Sequence, residues 1–302
     1  MLDIKFIREN KELIQKNCQN RRVKVNVDEL LELDISRREN LKKIESLRAE
    51  RNKKSKGKPN DEEIKKMREV GDTIKKLEEA QKTVEEKYLD LLYTIPNLSH
   101  PESTVGEEKD YKVLFKNGKP PVFSFPPKTH DELMLALDLI DFERGTKVTG
   151  SKFYFLKNDA VRLNQALINY GLDILEKHDF ILFETPDMVK NEILNGSGFN
   201  PRGEESQIYE IKSNDLSLIG TAEITMLGFH ANETVDLSKG PKKYAALSHC
   251  FRTEAGAYGK TNKGLYRVHQ FTKLEMFIFC KPEESEALHK ELLSIEKEIC
   301  DG

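Results

Sequence analysis

Two hydrophobic periods divide the chain. From Asp28 to about Lys54, Leu30, Leu33, Ile44 and Leu47 fall on one helical seam; from Met67 onward Val70, Ile74, Leu77, Val84, Tyr88 and Leu91 continue in alternating steps of three and four. Arg37, Asn40 and Gln81 interrupt these seams with polar groups. Ser55-Lys56-Gly57-Lys58-Pro59-Asn60 breaks the pattern, with Asp28 placed to cap the first helix and Asn60 or Asp61 the second. The expectation is an antiparallel helical hairpin, roughly 40–50 Å long at about 1.5 Å per residue. Its own sequence offers no third partner, so the hairpin is expected to project as an arm. A short amphipathic helix from Ile4 to Asn17 and an extended Val23–Val27 segment precede it.

Ile95-Pro96-Asn97 ends the second long helix, because proline lacks the amide donor and restricts the residue before it. Residues 97–129, rich in Pro, Gly, Ser and charge, predict a linker. We place one domain over residues 1–105 and a second over 106–302. In the second, Thr129-His130-Asp131-Glu132 starts a helix with an apolar face from Leu133 to Ile140, and Lys152 to Leu156 form a strand. An amphipathic helix over 160–178 leads to the strand Phe180–Glu184 and Pro186. Ile208–Ile211 and Leu216–Ile219 pair across a turn at Ser213-Asn214-Asp215, Thr221-Ala222-Glu223 precedes a helix, and Pro282 to Cys300 form a last amphipathic helix. The fold class is α+β.

From His249 to Phe277 the period is two, and here the chemistry concentrates. Phe251-Arg252-Thr253-Glu254 puts Arg252 and Glu254 on one face; after a loop with three glycines and two lysines, Arg267, His269, Phe271, Lys273 and Glu275 share a face. Tyr266, Val268, Leu274 and Met276 are the expected apolar backing. Any one Arg–Glu pair here is ordinarily a solvated strand face. Together, a guanidinium fork for phosphate or carboxylate, an aromatic ring for a purine and a carboxylate for an ammonium suit a nucleotide plus an amino acid.

Composition narrows the class. Charged residues make up 33% and mean hydropathy is −0.62, as expected if much of the chain is exposed arm. The net charge of −3 means that nucleic acid would be met by local patches rather than a global field. Arg48, Arg51, Lys53, Lys54 and Lys56 form such a patch near the arm's tip, although a basic helix face is most often just solvated. Cys18, Cys250, Cys280 and Cys300 have no paired spacing and are expected as reduced thiols in a cytoplasmic protein. The opening MLDIKFIREN lacks a secretory or transit pattern, no apolar run reaches membrane-spanning length, and the histidines show no metal-ligand spacing.

The string FRTE, a glycine-bearing loop, then RVHQFTKLE closely resembles motif 2 of the class II aminoacyl-tRNA synthetases in the form found in the seryl-tRNA synthetases. The helix–strand–Pro186 order resembles motif 1, with Asp187 where that family usually has a second proline. Thr221-Ala222-Glu223 matches the family's TxE serine-binding segment.

The resemblance implies a helical tRNA-binding arm joined to an antiparallel-sheet class II catalytic domain that dimerises through motif 1. It implies activation of serine with ATP and Mg2+ to seryl-adenylate, then transfer to tRNA(Ser), with tRNA(Sec) a further acceptor of the same kind. Thr221, Ala222, Glu223, Arg252 and Glu275 would bind serine. Arg252, Thr253, Glu254, Val268, His269, Gln270 and Phe271 would bind ATP, with Arg252 bridging the carboxylate and α-phosphate as the catalytic residue and Phe271 stacking on adenine. Lys260 and Lys263 would touch phosphates or the acceptor end. The resemblance covers all 302 residues but stops before motif 3, so little or no activity is expected of this chain alone. The alternative is a non-catalytic relative that keeps the arm for tRNA or a partner.

Overall fold

The computed structural model describes residues 2–54, 61–199, 207–212, 214–255 and 264–302. The break at 55–60, the Asn60 cap, Ser213, Lys56, Lys260 and Lys263 lie outside the described residues, as does the side chain of Lys54. The chain divides into two compact units, Met1–Lys119 and Pro120–Gly302.

In the first unit, the single helix expected over Ile4 to Asn17 is two helices, α1 (Ile4–Glu9) and α2 (Lys11–Asn20). Asn10 separates them. Its side-chain amide donates to the Phe6 carbonyl at 3.0 Å, a local bond that competes with the helix ladder. The long helices are α3 (Val27–Lys54) and α4 (Asp61–Thr94). The start of α3 is held one step earlier than the expected Asp28 cap: Asn26 Oδ1 accepts from the Asp28 amide at 3.0 Å, and Gln15 Oε1 accepts from the Val27 amide at 3.1 Å.

The two long helices pack along the expected seam, burying Leu30, Ile44, Ile74 and Tyr88 together with Leu92. Arg37 sits in that seam without leaving a charge stranded. Its Nε donates to Glu85 at 2.5 Å and its guanidinium lies 5.1 Å from the Tyr88 ring centre. At the base, Ile7, Ile14 and Cys18 join Val27, Leu30, Tyr88, Leu92 and Ile95 in one core. Buried Asn17 fastens the chain beyond α4: its amide donates to the Asn97 carbonyl at 3.1 Å and its oxygen accepts from the Ser99 amide at 3.0 Å.

The second unit begins with α5 (His130–Ala136), which a Thr129–Glu132 capping box opens as expected. It ends before Ile140, and Leu133, Leu135 and Leu137 are exposed rather than forming a buried face. β1 (Ile140–Asp141), α6 (Phe142–Thr149) and β2 (Phe155–Leu156) follow, so the strand expected from Lys152 shrinks to two residues. Next come α7 (Asp159–Lys177), β3 (Ile181–Glu184), β4 (Met188–Lys190), α8 (Asn191–Ser197), β5 (Leu216–Leu218), α9 (Ala222–Phe229), β6 (Lys242–Phe251), β7 (Gln270–Phe279) and α10 (Ser285–Asp301).

The main sheet has the order β3-β6-β7. β6 and β7 are antiparallel, in register from Lys242↔Phe279 to Phe251↔Gln270, while β3 runs parallel to β6. One face packs Ala245, Leu274, Met276 and Ile278 against Ile174 and Leu175 of α7 and Leu292, Ile295 and Ile299 of α10. The other packs Tyr244, Ala246, Phe277 and Phe279 against Ala222 and Met226 of α9. β6 is therefore covered on both sides.

The hairpin is displaced relative to the sequence pattern. Its strands start at Lys242, before the His249 expected from periodicity, and regular pairing stops at Phe251 and Gln270. Arg252 to Glu254 and Leu265 to His269 extend beyond the sheet, joined by the Arg252 amide donating to the His269 carbonyl at 2.9 Å. Tyr266, expected in the apolar backing, is 78% exposed, whereas Val268 is buried as expected.

Candidate active site

The sheet edge, the N-terminus of α9 and the end of β6 meet around Thr221. β5 leads through Ile219 and Gly220 to Thr221, and the Phe251 amide donates to the Ile219 carbonyl at 2.8 Å, tying this approach to β6. Gly220 has no room for a side chain: a Cβ there would lie 2.5 Å from the Phe199 ring. Thr221 caps α9 and is buried.

Thr221 is fully committed. Its hydroxyl donates to Glu275 Oε2 at 2.5 Å and accepts from Lys273 Nζ at 3.3 Å and from the Glu223 amide at 3.4 Å. Glu275 Oε2 also accepts from the Ala222 amide at 2.8 Å, and Oε1 pairs with Lys273 at 2.6 Å. Glu275 thus joins the N-terminus of α9 to the Lys273 ammonium of β7 through charge-assisted bonds. Glu223, on the first turn of α9, is exposed.

Arg252 stands beside this cluster. Its Nε donates to the Gly220 carbonyl at 3.1 Å, and its guanidinium lies 5.2 Å from the centre of the Phe271 ring and 6.0 Å from that of Phe199. Glu254, at φ 52, pairs with Arg267 at 3.0 Å. Thr253 donates its amide to the Gln207 carbonyl at 3.2 Å, and Gln270, the first residue of β7, is exposed. His269 Nδ1 donates to the Arg252 carbonyl at 2.9 Å while its ring packs 5.1 Å from Phe153, so it braces the backbone of Arg252. Burial pushes the Cys250 thiol up from its usual range, making it an inert wall of the site.

The residues expected at the serine end thus converge, with Arg252 and Phe271 adjacent, while Glu254 and Arg267 form a separate pair. Two contributors went unassigned from the sequence. Lys273 lay on the right face by parity, yet only its distance to Thr221 and Glu275 reveals a role. Asp187 gave its signal as a departure from the expected proline. Its carboxylate accepts from the His249 amide at 3.1 Å and faces His249 Nδ1 at 2.9 Å, and its carbonyl accepts from the Ile219 amide at 2.9 Å. The ladder between β3 and β6 ends as the Thr185 amide reaches Leu247, and Pro186 has no amide; the Asp187 side chain carries the pairing one step further. In the first unit, Arg48 pairs with Glu78 at 2.6 Å, and Arg51 and Lys53 are exposed. Among the described residues no helix is long and apolar enough to cross a membrane.

Comparison with known proteins gives the decisive observation. The serine–tRNA ligase of Treponema denticola is 49% identical over 314 residues, covering 100% of this chain and 74% of that protein. This chain belongs to the seryl-tRNA synthetase family. Residues 1–99 match the seryl-tRNA synthetase N-terminal domain, and residues 208–300 match the tRNA synthetase class II core domain (G, H, P, S and T). The ligase of Rubrobacter xylanophilus is 47% identical over 99% of the chain and 72% of its own length. Among solved structures, the seryl-tRNA synthetase from Pyrococcus horikoshii complexed with ATP aligns over 100% of this chain and 74% of its own, with TM-score 0.84 at 36% identity. The cytoplasmic serine–tRNA ligase from Naegleria fowleri in complex with AMP aligns over 98% and 72%, with TM-score 0.78 at 30% identity. By homology the chain is a class II serine–tRNA ligase with an N-terminal helical arm, shorter than these relatives.

Proposed function

We propose that this chain carries the serine and nucleotide subsites of a ligase that activates serine with ATP to seryl-adenylate and passes the seryl group to tRNA(Ser). The observation that carries the reading is the junction of Arg252 and Phe271 with the Thr221–Lys273–Glu275 cluster. Serine's hydroxyl needs both an acceptor and a donor. Glu275 Oε1 accepts one bond within the protein and retains a lone-pair site beside the Lys273 ammonium. A pocket built this way rejects alanine, because its own polar groups would be left unpaired. Exposed Glu223 supplies the carboxylate for serine's ammonium, and Arg252 the cation for its carboxylate.

Adenylation then needs positioning and charge neutralisation rather than covalent catalysis. The serine carboxylate attacks the ATP α-phosphorus in line and pyrophosphate leaves. Arg252 bridges both reacting groups, Phe271 stacks on adenine, and Thr253, Glu254, Val268, His269 and Gln270 line the nucleotide's path. Mg2+, when bound, would be held largely by the phosphates of ATP itself and would share their charge.

Two features support the partner assignments. Val161, Leu163 and Leu167 of α7 and Ile181 and Leu182 of β3 remain exposed, the motif 1 surface through which a homodimer would form. The cations of the arm, including Arg51 and Lys53, suit the phosphates of a tRNA arm without reading bases. Serine-dependent exchange of labelled pyrophosphate into ATP, measured on this chain extended through motif 3, tests the reaction. The reading expects exchange that requires serine and is lost in Arg252→Ala; exchange supported by another amino acid instead would contradict it.

A further inference from the structure

His130 lies 135 residues from Leu265 in sequence, yet its Nε2 accepts the Leu265 backbone N–H at 3.0 Å. The Tyr266 ring meets the imidazole edge-on, with centres 4.8 Å apart. Gly264 fits only because it is glycine: its φ is 68°, and a Cβ there would lie 2.1 Å from His130 Nε2. Gly264, which ends the motif 2 loop, and the two residues after it are therefore shaped around one imidazole on the first turn of α5. The next residue, Arg267, holds Glu254, whose left-handed backbone conformation needs outside support.

We propose that His130 is a positioning residue for nucleotide binding: it fixes Gly264 to Tyr266 and thereby sets Arg267 against Glu254 at the adenine side of the site. The proposal rests on the nucleotide reading given above. An acceptor at Nε2 requires that ring nitrogen to be unprotonated, so Nδ1 carries the proton of the neutral ring. His130 touches no reacting atom. It acts through the backbone of Leu265, at the edge of the site opposite the Thr221 cluster in chain order, so it should govern ATP rather than serine.

The test has two arms on the full 302-residue chain. In the first, nitrogen NMR of the His130 ring and the Leu265 amide reads the bond directly: an unprotonated Nε2 with a coupling across the hydrogen bond is expected, and a protonated Nε2 or no coupling overturns the proposal. In the second, ATP binding is measured by calorimetry for His130→Phe, which keeps a ring but removes the acceptor, and for His130→Gln, which restores an acceptor. His130→Phe should weaken ATP about five- to tenfold, His130→Gln should recover to within about threefold, and serine affinity should hold within about twofold, the size of one lost hydrogen bond. Equal losses in both variants, or equal losses for serine and ATP, reduce His130 to a structural residue and overturn the proposal. If the unmodified chain binds no ATP, the nucleotide reading fails by itself, and the first arm still decides whether the clasp exists.

Discussion

At the scale of single residues, the site is a problem in hydrogen-bond accounting. Thr221, Lys273 and Glu275 bond to one another while Glu275 Oε1 keeps a lone-pair site, so removing any one exposes a partner. Glu275→Gln should cost about 1.5–3 kcal/mol of serine affinity, since it replaces charge-assisted bonds and turns a donor toward Lys273; calorimetric titration with serine checks this. The thiols give a second prediction. Cys18 and Cys250 are buried and their thiols are pushed up by desolvation, whereas Cys300 is exposed. At neutral pH a maleimide should label Cys300 rapidly and leave Cys18 and Cys250 unmodified until unfolding, as read by peptide mass spectrometry. Rapid labelling of Cys250 would mean that β6 is not packed as described.

At the scale of elements, legibility in the sequence depended on how many faces were buried. The seam of α3 and α4 could be read because one face of each helix is apolar and the other wet. The first part of β6 could not: Tyr244, Ala245 and Ala246 are buried in succession between α7 and α9, which erases the alternation that marks a half-exposed strand. The period-two signal survives in β7, where Leu274 and Met276 pack toward α7 and α10 while Phe271, Lys273 and Glu275 lie on the face of the site. The residues of the candidate site were legible by type and order. Asp187, Lys273 and His130 were not assigned, because their roles rest on distances across many residues of chain. Asn17 is a test at this scale. Its three bonds hold the segment after α4 against α2, so Asn17→Ala should destabilise the first unit by about 2–3 kcal/mol through orphaned backbone groups, seen as a lowered denaturation midpoint of the isolated helical signal.

At the scale of the whole molecule, each unit has its own core, and the segment between them is nearly bare of regular structure. Lys112, Lys116, Lys119 and Lys128 are exposed there, so brief trypsin treatment should cut in this segment and release a fragment holding α5 to α10. Fragments beginning inside α7 or β6 would argue against two separate cores. The central claim, however, concerns what the second unit binds. The most direct measurement is calorimetric titration of the chain with non-hydrolysable seryl-adenylate and alanyl-adenylate analogues. The account predicts that the seryl compound binds at least about tenfold tighter, because only its hydroxyl completes the bonds of Lys273 and Glu275, and that Glu275→Gln narrows this gap. Equal affinity for the two analogues would contradict it.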